Sequence, residues 1–335
     1  MTRDDGAFVR RDTLINYLED FADMIDVPIR FDTAVQSIGQ TEHGWKLETD
    51  KGALEAMHVI VTTGREKIPH VPDWPGRSDF DGDILHLADL GDIGRFSRRR
   101  ILVIGAGNSG SDVLNHLAGI DTADVWISLR HGPAIIPARL FGFPMHRLAR
   151  LFEQVPGRLL DRMLSLTQRL VFGDLSQFGF RSHPVGGGTR LWRDGILPAI
   201  DSGFVAAVKQ GRMRIVGETV RFDRCSVHFA EGTSIEREIV IGATGYRSGL
   251  EPLFGRLKVL DGEGHPWRGL GEPDPHHRGL WFTGYKAVFP GYFHAAKIAA
   301  QRIAQGVVNG TGEVVGPRQT PSRHSRPVQS LAVST

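Results

Sequence analysis

The chain has one cysteine, Cys225, in 335 residues. A lone thiol excludes an intrachain disulfide and any cysteine-built metal cluster, and it suits a reducing compartment. No stretch approaches the roughly 18 consecutive apolar residues of a membrane helix. The opening hexapeptide, MTRDDG, is too polar and acidic for a secretory signal. A cytoplasmic protein with no membrane span is expected. An excess of either charge is missing too: 40 Lys and Arg face 38 Asp and Glu. Arg318, Arg323 and Arg326 fall in the last 20 residues, which hold no acid, so the remaining body carries 37 basic against 38 acidic side chains. A body so close to neutral is a poor match for a polyanion, which argues against nucleic acid as a partner. HExxH, GxSxG and metal-spaced Cys/His sets are all missing. Hydrolysis by a metal or a serine nucleophile therefore has no support, no metal is expected, and no catalytic residue is assigned.

What is present is an ordinary globular composition, 41% hydrophobic and 23% charged, at a length suited to about two domains. Leu14, Tyr17, Leu18 and Phe21 recur at helical spacing and predict an amphipathic helix over 11–26. Residues 28–31 read as a short strand and 35–55 as an antiparallel meander. The β-branched run 58–64 reads as a buried strand closing on Thr63-Gly64. The connector KIPHVPDWPG (67–76) is not helical, because Pro69, Pro72 and Pro75 lack the needed donors. A strand over 101–104, a tight turn over 105–110, a helix from Ser111 to Ala118 and a strand over 124–129 follow. Residues 138–172 are expected to be mostly helical, within an insertion spanning 138–195. A second meander over 213–216, 220–222 and 227–229 leads to a strand that ends in Thr244-Gly245. The strand–Thr–Gly ending thus occurs twice, each time after a meander, as in two α/β units built to one plan. A strand over 280–284 and a helix over 294–308 close the chain, and the Pro/Ser/Arg-rich tail 314–335 is expected to be disordered.

Gly105-Ala106-Gly107-Asn108-Ser109-Gly110 reads GxGxxG between a strand and a helix, which is the context a dinucleotide site requires. Gly105 allows the tight turn, Gly107 lets the backbone approach a diphosphate, and Gly110 lets helix and strand pack closely. Free N–H groups and the helix dipole at Asn108 and Ser109 favour the anion. The plain alternative is a glycine-rich turn. The next strand ends in Ser128-Leu129-Arg130-His131 and offers no acid for a ribose 2′-OH, whereas Arg130 suits a 2′-phosphate. NADP(H) is therefore expected, the alternative being an exposed arginine. Thr63-Gly64 and Thr244-Gly245 let the chain pass close to a dinucleotide, and a plain turn explains them equally. His86 reads as a satisfied structural histidine and His276-His277 as solvated. Asp161 and Arg162 read as a solvent-facing or internally paired helix edge.

Together the segments RDTLINYLEDFA, VTTGREKIPHVPDWPG, FDGDILH, RILVIGAGNSG, LPAIDSG, ATGYRS and LWFTGY resemble the flavin-containing monooxygenases, most closely the YUCCA-type and related bacterial branch. The likeness runs from about residue 8 to 308. FDGDILHLADL approximates the family's FxGxxxH pattern, with Leu90 where an aromatic residue is usual. The resemblance implies an α/β fold of two Rossmann-like dinucleotide-binding domains of the glutathione-reductase type. The first comprises 1–92 with 243–313; the second, 93–242, carries the insertion. It implies that NADPH reduces FAD, that reduced flavin takes up O₂, and that a C4a-(hydro)peroxyflavin passes one oxygen atom to a small organic substrate by oxygen insertion or N/S-oxygenation. Gly105, Gly107, Asn108, Ser109, Gly110 and Arg130 would hold NADPH. Val35, Thr63, Gly64 and Gly284 would line the flavin side, with Thr244 and Gly245 beside the cofactors. His86 would belong to the linker. The family also carries a GxGxxG for FAD near its N-terminus, and only one such motif occurs here. The first domain is therefore expected to be N-terminally incomplete. A shortened gene record, a degenerate remnant, and a partner chain supplying the missing strands remain open explanations. A non-catalytic NADP(H)-binding subunit is the alternative function. A two-dinucleotide disulfide reductase is disfavoured, because Cys225 has no redox partner.

Overall fold

The computed structural model describes residues 9–25 and 27–309; the tail expectation for 314–335 lies outside them. In chain order the elements used below are α1 (Arg11–Met24), β1 (Val35–Thr41), β2 (Gly44–Thr49), β3 (Gly52–Ala56), β4 (Val59–Val61), β5 (Asp83–His86), β6 (Arg100–Ile104) and α2 (Asn108–Ala118). Then come β7 (Asp124–Ser128), β8 (Ile135–Pro137), α3 (Gly157–Phe172), α4 (Gly187–Asp194), β9 (Ala199–Asp201), α5 (Phe204–Lys209) and β10 (Met213–Val216). The chain ends with β11 (Thr219–Phe222), β12 (Ser226–Phe229), β13 (Ser234–Glu236), β14 (Ile239–Gly242), β15 (Leu280–Phe282) and α6 (Tyr292–Val308).

The largest sheet is five-stranded and wholly parallel, in the order β10-β7-β6-β14-β5. Covered on both faces, its central strands must be apolar at every position, which is why RILVI and IVIG carry no alternation. Strand periodicity assigns the two faces. Ile101 and Val103 point to the side of Val113, Leu114 and Leu117 on α2 and Phe204, Val205 and Val208 on α5. Leu102 and Ile104 point the other way, into Phe222, Val227 and Phe229 of the meander β11–β13. The C-terminal ends of β6, β7 and β14 therefore open together beside the N-terminus of α2, the crevice where ligands bind in doubly wound sheets.

The second body is smaller. Strands β1, β2 and β3 form an antiparallel meander, and β4 pairs in parallel with β15. Trp45, Val59, Val61, Leu250, Phe254, Leu280, Phe282 and Tyr285 fill its core. Among the described residues β4 has no ladder partner besides β15. An apolar surface is also left exposed in this part of the chain. No residue of α1 is buried, and Phe21, Met24, Ile29 and Phe31 are exposed, as is Ile60 on β4.

Several sequence expectations need correction. Residues 28–31 form no strand: they are exposed coil, without the ladder partner a strand needs. Residues 213–216 belong to the parallel sheet rather than to the meander, whose true third strand is β13. Helix α2 begins at Asn108, three residues before the expected Ser111, because Gly107 already accepts from the Ser111 amide at 2.8 Å. Residues 138–156 are not an α-helix: Arg139–Leu140 pairs with Phe143–Pro144 in a tight hairpin, and a 3₁₀ segment follows. Phe141 at φ 49° and Gly142 at φ 79° make that turn, which helical periodicity alone does not disclose. His277 is not solvated, for its Nδ1 lies 2.9 Å from Asp274 and its ring packs on Trp45.

Candidate functional site: a cleft at the glycine turn

The GAGNSG turn uses its three glycines for three separate steric reasons. Gly105 sits at φ +99°, and a Cβ there would lie 2.6 Å from the Ala243 carbonyl oxygen, so the turn after β6 and the end of β14 touch backbone to backbone. A Cβ on Gly110 would meet the Gly105 carbonyl oxygen at 2.3 Å, which fixes α2 against the turn. At Gly107 a Cβ would find nothing within 4 Å: that side faces open space. Helix α2 has no side-chain N-cap, so its first amides stay available to an anion placed there.

That space is a cleft of about 680 Å³. Gly105, Gly107, Asn108, Ser109, Arg130, Thr244 and Gly245, all expected from the sequence, line it together. Gly110 supports it from beneath. Val35, Thr63, Gly64 and Gly284 do not line this cleft. Val35 opens β1, and the other three follow the ends of β4 and β15. There Gly64 and Gly284 lie at φ +74° and +85°, a Cβ on Gly284 would stand 3.8 Å from the Gly64 Cα, and the Thr63 hydroxyl is 2.7 Å from the Tyr285 phenol. They form one shared backbone surface at the C-terminal edge of the smaller sheet.

Thr244-Gly245 anchors the proline connector. The Thr244 hydroxyl donates to the His70 carbonyl, and the Gly245 carbonyl accepts from the His70 amide at 3.0 Å. It also accepts from His86 Nε2 at 2.9 Å, because Nδ1 of that ring is occupied by the Ala88 amide. His86 is thus buried and satisfied on both nitrogens, a structural residue. Asp161 is internally paired: it accepts from the Thr189 amide at 2.9 Å, in the first turn of α4.

Sequence reasoning missed much of the rim. Arg65, Glu66 and His70 approach from the connector, Tyr292 from α6, His183 and Arg190 from the insertion, and Glu218 from before β11. Glu218 lies 3.7 Å from Arg130, both largely solvent-facing, so an acid missing from the C-terminal end of β7 arrives from 88 positions downstream. No local pattern signals such a pairing, and at that exposure it contributes little to stability. Burial pushes the Tyr292 phenol up and, as its largest influence, pushes His183 down from the usual imidazole range. Among the described residues no group of three or more His, Cys, Asp or Glu is arranged for a metal, and no helix is long and apolar enough to cross a membrane.

Residues 4–134 match the family model of pyridine nucleotide-disulphide oxidoreductases. The chain is 28% identical over 313 residues to a probable indole-3-pyruvate monooxygenase, YUCCA3 of Arabidopsis thaliana, covering 88% of this chain and 69% of that protein. It is 30% identical over 242 residues to the indole-3-pyruvate monooxygenase YUCCA1 of Oryza sativa subsp. japonica, covering 71% and 59%. Among solved structures, a flavin-containing monooxygenase from Stenotrophomonas maltophilia superposes with a TM-score of 0.60 at 20% identity, over 90% of this chain and 78% of that one. A cyclohexanone monooxygenase from Rhodococcus sp. Phi1, bound to NADP+, gives 0.62 at 16% identity, over 91% and 72%. The disulphide chemistry in the family model's description needs a thiol pair, and Cys225 is single. With its α/β architecture and the order of its motifs, the chain is similar in sequence to the YUCCA indole-3-pyruvate monooxygenases and in fold to flavin-containing monooxygenases.

Proposed function

We propose that this chain is a cytoplasmic NADPH- and FAD-dependent monooxygenase that oxygenates a small organic substrate with O₂, by oxygen insertion or N/S-oxygenation. The observation that carries the reading is the open side of Gly107 at the uncapped start of α2. NADPH fits there. Its diphosphate would take the amides of the first turn, Gly107 would admit it, and Arg130 would release Glu218 in favour of a dianionic 2′-phosphate. The cleft continues to Arg65, Glu66 and Tyr292, so a nucleotide anchored at α2 extends toward the smaller body. When bound, FAD would supply the oxygen chemistry, the protein providing placement and a dry pocket. Gly64 and Gly284 offer it a close backbone surface. A second GxGxxG between a strand and a helix, for its diphosphate, is not among the described residues.

Residues 1–92 with 243–313 as the flavin-side unit, and 93–242 as the NADPH unit, remain the proposed division. The unpaired edge of β4 and the apolar surface of α1 support completion of the flavin side by a further segment or a partner chain. The purified chain is accordingly expected to be nearly colourless, or to lose flavin on gel filtration. Stoichiometric yellow protein contradicts that expectation.

Arg130→Gln tests nucleotide choice. The wild type is expected to prefer NADPH over NADH by at least about tenfold, and the variant to bring the two within about threefold, through loss of one charge-assisted contact. A wild type that binds NADH as well as NADPH refutes the reading. The reaction itself is tested by supplying FAD, mixing anaerobically with NADPH and following the oxidised-flavin absorbance. Bleaching supports hydride transfer. NADPH binding without bleaching favours a non-catalytic NADP(H)-binding subunit.

A further inference from the structure

Four basic side chains gather at one end of the cleft, two of them on the insertion. The segment before α4 runs alongside the end of β7: Gly132 donates its amide to the Arg181 carbonyl at 2.6 Å and bridges in parallel to Ser182. This brings the His183 ring to 5.2 Å from His131 at an interplanar angle of 66°. Nδ1 of His183 is engaged by the Val185 backbone, 2.9 Å from its amide and 3.0 Å from its carbonyl oxygen, which leaves Nε2 as the ring nitrogen available to a ligand. Arg190 follows in the first turn of α4, whose start is clamped to α3. Asp161 accepts from Thr189 there, and Gly186 is so close that a Cβ would lie 2.2 Å from the Asp161 carboxyl carbon.

Arg190 is half-buried and, among the described residues, no carboxylate lies within ion-pairing distance of it. The nearby acid, Asp194, is already held bidentately by Arg193 at 2.6 and 2.9 Å. A guanidinium on a fixed helix, partly desolvated and facing Arg130, is costly unless an anion completes it. Desolvation is the main cause lowering its pKa, and Arg130 and Arg193 act in the same direction. His183 is lowered by the same causes, Arg190, His131 and Arg130 included. Glu218 opposes these charges through its contact with Arg130, Asp194 acts on Arg190 in the opposite direction while held by Arg193, and Glu66 lines the same cleft.

We infer that Arg190 and His183 form the second jaw of a phosphate-monoester subsite, facing Arg130 and His131, and that the insertion thereby sets the preference for the 2′-phosphorylated nucleotide. The inference rests on the NADPH reading above and adds the residues that would enforce it. A dianion with three acceptor oxygens matches two forked guanidinium groups and an imidazole donor, whereas the 2′-hydroxyl of NADH leaves Arg190 without an acceptor.

The test is titration of wild type, R130Q, R190Q, R190K and H183Q with NADPH and with NADH, read by tryptophan fluorescence or calorimetry. R190Q is expected to weaken NADPH about 10–30-fold and NADH less than about threefold. R190K should recover only part of the loss, because an ammonium cannot reproduce the planar fork. H183Q should weaken NADPH by a smaller factor and leave NADH unchanged. Unchanged melting temperatures check that the fold survives. Equal losses for both nucleotides, or no loss in R190Q, overturn the inference. If the wild type prefers NADPH and R130Q abolishes that preference while R190Q does not, the inference alone fails. If the wild type shows no preference, the NADPH reading itself fails and takes the inference with it.

Discussion

Gly107→Val is expected to weaken NADPH binding about 100-fold or more while leaving the melting temperature within about 2 °C of wild type. The two halves of that result have separate causes. Open space on the side where a Cβ would point means that added bulk meets no protein atom. The residue's φ of −63° is accessible to any L-amino acid. The fold therefore tolerates the change. The methyl groups would occupy the route by which a diphosphate reaches the first amides of α2. Losing two charge-assisted hydrogen bonds, at about 1.5–3 kcal/mol each, corresponds to a hundredfold or greater loss of affinity. Gly110→Val gives the complementary control, since its side chain would collide with the Gly105 carbonyl. It should lower stability and binding together. If Gly107→Val binds NADPH normally, the turn does not cradle the nucleotide.

The largest stability effect is expected at Leu102. This side chain is fully buried in the middle of β6, with strands paired on both sides and Phe222, Phe229 and Val240 in the same cluster. Neighbouring strands and the meander leave the site little freedom to collapse, so Leu102→Ala should cost about 3–5 kcal/mol, toward the upper part of the range for buried leucine truncations. The urea midpoint should fall with little change in slope. A loss below about 1 kcal/mol would mean that the meander does not seal this face of the sheet. The same truncation at Leu18 on α1, which is 49% exposed, should be nearly neutral in the isolated chain.

Much of the parallel-sheet unit was legible in the sequence because its physical requirements are local. An apolar run, a glycine turn and an amphipathic helix in succession leave few alternative folds, and each of the three glycines meets the steric situation its position implies. The ends of the strands that bring Arg130, Thr244 and Gly245 to one cleft follow from the same logic. The rest of the rim was not legible, for a reason seen at Glu218 and Arg190. Each reaches the cleft through tertiary packing, from 88 and 60 positions beyond Arg130, and no periodicity records that approach. The strand expected at 28–31 fails for a related reason. Its residues have extended-chain character, but a strand exists only where a neighbour completes the ladder. Helix α1 reads as amphipathic and is so, yet amphipathicity says nothing about what covers the apolar face.

The measurement that bears most directly on the central claim is calorimetric titration of the purified chain with NADPH and, in parallel, with NADH. Saturable one-site binding of NADPH in the micromolar range, at least tenfold tighter than NADH, is the expected result. No detectable heat with either nucleotide at millimolar concentration would contradict it.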